Sequence, residues 1–125
     1  YVGDVKFVLP GKMRCRGIME SNDLIHWSRP RMTVYPDSLD DPDTQIYAQN
    51  SFCYESMWLS YLRVMHTERT KGYKQTTVEL TASRDGRNWC RVGNREELIP
   101  LGSEREWDTD YHDPLWEPIA VGDEL

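Results

Sequence analysis

Five carboxylates in this chain stand in surroundings that suit acid–base work: Asp108, Glu55, Asp110, Asp113 and Asp43. A carboxyl group held against apolar surface has a raised pKa and can act as a general acid, whereas a solvated one stays ionised and can attack or activate water. Asp108 follows Trp107 in a loop rich in aromatics, and Glu55 lies between Tyr54 and the most apolar segment, Met57 to Met65. These surroundings make Asp108 the first catalytic candidate and Glu55 the second, with Asp110, Asp113 and Asp43 completing the set. The same acidic loop residues also suit turn-forming or solvated roles. Trp107, Trp116 and Tyr54 offer flat faces for a ligand, as does Trp58, and the tryptophans equally suit core packing.

The elements that must position these groups are organised around a motif that occurs twice. Ser21-Asn22-Asp23-Leu24-Ile25-His26-Trp27 and Ser83-Arg84-Asp85-Gly86-Arg87-Asn88-Trp89 both read Ser-x-Asp-x-x-x-Trp, and both continue with one residue and an arginine. The spacing from Ser21 to Ser83 is 62 residues. Ser and Asp oxygens accept hydrogen bonds from backbone N–H groups one or two residues on, and Gly86 can supply a positive φ, so the motif predicts a tight turn between two strands. The tryptophan folds back over the hairpin with its indole N–H near the rim. Recurrence at such a period predicts repeated β units.

Hydrophobic alternation predicts short strands over Tyr1 to Leu9, Met13 to Glu20, Pro30 to Tyr35, Gln45 to Ala48 and Gln75 to Ala82. Met57 to Met65 reads as a strand buried on both faces. Gln49 to Ser56 reads as a connection and His66 to Lys74 as a polar hairpin tip. The stretch Pro36 to Asp43, with two prolines and four aspartates, is a loop. Leu98 to Gly102 and Ile119 to Val121 are the last short strands, and Gly122-Asp123 resembles a hairpin turn. The expected organisation is one domain of two units, about residues 1–65 and 66–125.

A net charge of −6 and a pI near 5.0 oppose a nucleic-acid footprint, which needs a basic face. Lys12, Arg14 and Arg16 alternate along one strand and are expected on a solvated face. No apolar run approaches the ~20 residues of a membrane-spanning helix, so no membrane partner is expected. Cys15, Cys53 and Cys90, like His26, His66 and His112, are scattered without metal-ligand spacing, so neither a metal nor another cofactor is predicted. Tyr at position 1 and a terminal hairpin with no returning strand lead us to expect a piece of a longer chain, or a sheet completed by another copy.

Glu20-Ser21-x-Asp23-Leu24-Ile25-His26-Trp27-Ser28-x-Pro30, Ile46-Tyr47, Met57 to Leu62, Leu80-x-x-Ser83-Arg84-Asp85-Gly86-x-x-Trp89-x-Arg91, Ile99-Pro100-x-Gly102 with Trp107-Asp108, and Val121 to Leu125 together carry a resemblance. The pattern resembles the five-bladed β-propeller glycoside hydrolases of the invertase, fructosidase and arabinanase clan and their uncharacterised bacterial relatives. The resemblance implies an all-β fold of antiparallel four-stranded blades, of which this chain would form about two. It also implies carboxylates aimed at an axial pocket, with carbohydrate as the partner and glycosidic-bond hydrolysis as the chemistry. In that frame Asp108 matches a Trp-Asp pair of the family and Asp113-Pro114 its Asp-Pro step. Trp107, Trp116 and Tyr54 would contact the sugar. A non-catalytic sugar-binding or structural, oligomerising piece is the alternative.

Overall fold

The computed structural model describes residues 1–70, 73–114 and 116–122, with the side chains of residues 12, 68–70 and 73 outside the description. The chain forms two antiparallel sheets. The first takes the order β1 (Val2–Val8), β2 (Arg14–Glu20), β3 (Arg31–Val34). The second takes the order β4 (Thr44–Tyr54), β5 (Met57–Thr70), β6 (Tyr73–Ser83), β7 (Cys90–Arg91). The only helical element among the described residues is a single 3-10 turn at Pro10–Lys12, so the all-β expectation is met.

Burial alternates along β2, whereas in β6 it runs unbroken from Thr76 to Glu79 and takes in the polar face. In β2, Cys15 and Gly17 are buried between partly exposed neighbours. In β6, Val78 is fully buried and Thr76, Thr77, Glu79 and Thr81 are nearly so. Gly17 is required where it stands. A side chain there would run into the Arg31 carbonyl and the Phe7 ring, and the β2–β3 register shifts by a bulge at Arg16/Gly17.

Four departures from the sequence reading have physical causes. The stretch from Gln49 is strand as far as Tyr54, because it pairs residue by residue with Met57–Leu62 and turns only at Glu55-Ser56. Polar residues after Met65 continue β5 to Thr70, paired back onto β6, since a ladder partner outweighs weak local propensity; Lys71 and Gly72 lie outside the described residues. Leu98 to Gly102 contributes a single bridge, Ile99 with Val78, and the Ile119 to Val121 segment one bridge residue; Asp123 lies outside the described residues. The sheets therefore hold three and four strands, where two sets of four were expected.

The fourth departure concerns the basic row. Arg14 and Arg16 are partly buried against the second sheet, not on a solvated face. Arg16 donates to the Tyr47 backbone carbonyl and pairs with Asp4 at 3.0 Å. Arg14 and Arg63 lie over the Tyr47 ring, with guanidinium carbons 5.4 and 5.3 Å from its centroid. The side chain of Lys12 is outside the described residues.

The sheets meet where β2 packs on β4. Val34 of β3, Ile46 of β4 and Leu62 and Val64 of β5 form a buried cluster, and Trp89 packs against it. Each such aliphatic side chain contributes roughly 1.5–3 kcal/mol relative to its exposed state.

Candidate functional site

Both Ser-x-Asp corners fold the same way. In the first, Ser21 Oγ accepts from the Leu24 amide at 2.8 Å, and Asp23 Oδ1 accepts from the Ile25 and His26 amides at 2.9 and 2.7 Å. In the second, Asp85 Oδ1 accepts from Arg87 and Asn88 at 2.8 and 2.7 Å. Each indole N–H closes its own corner: Trp27 donates to the Leu24 carbonyl at 3.2 Å, and Trp89 to that of Gly86 at 3.1 Å. These bonds favour ionised Asp. The His26 ring and the His26 and Ile25 amides hold the Asp23 carboxyl well below the usual range, and the Asn88 and Arg87 amides do the same for Asp85.

The second corner forms one wall of a groove of about 390 Å³ between the sheets. Trp58, Trp89 and Trp116 line it, with Asp4 and Glu20 from the first sheet, Asp85 from the corner and Gln49 from β4. Trp58 packs on Gly86, its ring 3.5 Å from where a Cβ would stand. Asp4 keeps 41% of its side-chain surface accessible. Partial desolvation nevertheless raises its pKa, against the lowering pull of Arg16 and the Val5 amide. Gln49 is only 7% exposed, and its side-chain nitrogen has no hydrogen-bond partner. An amide donor buried beside such a groove incurs a desolvation cost that a ligand acceptor would relieve.

Trp116 reaches the groove because the preceding segment straps the second sheet. The Thr76 amide on β6 donates to the Asp110 carbonyl at 2.9 Å, and Tyr111 bridges in parallel to Thr76. On β5, Arg63 pairs with Asp113 and donates to the Tyr111 hydroxyl at 3.2 Å. On β4, Asn50 donates its side-chain amide to the Pro114 carbonyl at 3.2 Å.

The sequence candidates fall in several places. Trp58 and Trp116, the latter 71% exposed, join the groove. Glu55 sits at the tip of the β4–β5 hairpin with φ 51°, exposed, beside Tyr54, which is 42% exposed. Trp107 is 93% exposed. The half-buried Asp108 lies with its carboxylate against Gly102. Asp110 and Asp113 belong to the strap, where the Tyr111 hydroxyl donates to Asp113 at 2.9 Å. Asp43 lies just before β4 and accepts from the Thr67 amide at 2.6 Å. None of these five carboxylates lines the groove.

Nothing in the sequence marks Gln49, Asp4 and Glu20 as ligand-facing residues. Gln49 falls in a stretch that reads as a connection, and Asp4 and Glu20 look like outward positions on strands. Only the crossing of the two sheets brings them together.

A second polar cluster is structural. Arg91 forms ion pairs with Glu79 at 2.6 Å and Asp40 at 2.7 Å, all three side chains under 10% exposed. Arg95 adds contacts to Asp37 at 2.5 Å and Asp40 at 2.9 Å. The cluster ties the loop after β3 to β6 and β7.

No protein-family model, curated protein or solved structure matches the chain.

Proposed function

We propose that this chain is part of a carbohydrate-active β-propeller protein of the glycoside hydrolase-like type, and that the groove between its sheets binds sugar. One observation carries the reading: three tryptophans, carboxylates and a buried unpartnered amide converge on one groove. Flat indoles take the apolar faces of a pyranose or furanose ring, while carboxylates and an amide satisfy its hydroxyls. The propeller half of the reading is supported by the corner, which joins β2 to β3 and β6 to β7 alike. Aligned on it, β1 to β3 correspond to β5 to β7, and β4 is the strand that the first sheet does not supply.

A second reading is non-catalytic sugar binding. It is favoured by the position of Asp108, Glu55, Asp110, Asp113 and Asp43 away from the groove lining.

The test is NMR titration with furanosides and pyranosides, paired with an aryl-glycoside hydrolysis assay. Shifts of the Trp58, Trp89 and Trp116 indole signals support sugar binding, and turnover separates the enzyme from the binder. Indole signals unmoved by every sugar would end the proposal.

A further inference from the structure

We propose that Asp41, Asp43 and His66 form a site for one divalent cation of the Mn2+ class, completed by the Thr44 hydroxyl. Each of the first three residues offers a ligand atom, and these atoms lie within 4.8 Å of one another. Donors at about 2.0–2.6 Å from a hard divalent ion fall within about 5 Å of each other, so the spacing suits one shared ion. Two carboxylates and a hydroxyl select a hard cation; the imidazole favours Mn2+ over Mg2+ or Ca2+.

The fold explains how separate pieces of sequence arrive here. Asp41 and Asp43 lie in the loop entering β4, and the β4–β5 register sets His66 directly opposite Thr44. The Thr67 amide fixes one oxygen of Asp43 at 2.6 Å. No sequence spacing announces the site, which is why the scattered histidines predict no metal.

The independent observation is Thr44. It is 1% exposed, its hydroxyl has no hydrogen-bond partner, and it lines the same cavity of about 220 Å³ as Asp41 and His66. A buried hydroxyl left unsatisfied needs a physical reason, and a cation or its bound water would supply one. Asp40, Asp41, Glu79 and Glu97 also line the cavity, with Glu79 held in an ion pair by Arg91 and Asp40 by Arg91 and Arg95. The cavity shares no lining residue with the sugar groove, so the inference stands apart from that reading.

The experiment titrates chelator-treated protein with MnCl2, counting free ion by electron paramagnetic resonance and following the histidine ring signals by NMR. One Mn2+ per chain is expected, broadening His66 before His26 and His112. Asp41→Asn, at an exposed position, should weaken binding about tenfold or more, and Thr44→Val should weaken it in the same direction. Circular dichroism confirms that both variants fold. No bound Mn2+ at millimolar concentration, first broadening at His26 or His112, or unchanged affinity in both folded variants would each overturn the proposal.

Discussion

Leu24 and Gly86 occupy the same place in the two copies of one corner, and both have positive φ, 64° and 67°. The conformation is set by the Ser and Asp oxygens that gather the following amides, and it is the same whichever residue stands there. Glycine enters that region without strain, whereas a leucine incurs about 1–2 kcal/mol from its Cβ.

Leu24→Gly should therefore stabilise the protein. The side chain is 54% exposed, so little packing is lost. The strain relieved exceeds the added freedom of the unfolded chain, for a net gain of roughly 0.5–1 kcal/mol. Urea denaturation checks this, with an unchanged slope and a higher midpoint expected. Gly86→Leu should do the reverse and disturb Trp58, whose ring rests on that glycine.

Acid should weaken both corners. Asp23 and Asp85 have folded-state pKa values below those of the unfolded chain, so their stabilisation is complete above the unfolded value. It is lost as pH falls from about 4 toward the depressed folded values. Urea midpoints measured from pH 7 to pH 2.5 should drop over the acid end. Asp23→Asn/Asp85→Asn should be less stable at pH 7 and show a flatter acid limb; an unaltered limb would contradict the assignment.

The corners were legible in the sequence because their chemistry is local. Every oxygen that shapes them lies within a few residues of the amide it accepts, so Ser-x-Asp-x-x-x-Trp reads as a turn without knowledge of the fold. Alternation likewise located β1, β2 and β6. The strands that misread as connections, Gln49 to Tyr54 and His66 to Thr70, owe their form to the partner across the ladder. The groove depends on still longer range: Gln49, Glu20 and Trp116 are strangers in sequence, and the sheet crossing and the strap over β6, β5 and β4 unite them. Arg14 and Arg16 mislead for the same reason, since alternation says which face they share but not that Tyr47 covers it.

The Arg91 cluster gives a third expectation. Arg91→Met leaves the buried Glu79 without its cation and Asp40 with Arg95 alone, and should cost about 3–5 kcal/mol. Replacing all three with apolar residues of similar volume should cost far less, because no uncompensated charge then remains. Comparison of the single and triple variants by thermal and urea unfolding separates the two effects. Equal losses would show that the charges are not the source.

The strap makes a prediction about ligand binding through a residue outside the groove. Trp116 is 71% exposed, so Trp116→Ala should change stability by no more than about 0.5 kcal/mol. On the proposed reading it removes one stacking face and should abolish much of the sugar affinity. Asp113→Ala acts differently. It takes away the partner of Arg63 and of the Tyr111 hydroxyl, loosening the segment that carries Trp116 across β5. With Asp113 half exposed, the stability change should be small, whereas the Trp116 indole signal should sharpen toward that of a free side chain and sugar affinity should fall. Asp113→Asn, which can still accept from Tyr111, should recover part of that affinity. If Asp113→Ala instead abolishes hydrolysis while leaving affinity and the Trp116 signal intact, Asp113 acts on the substrate directly and not through the strap.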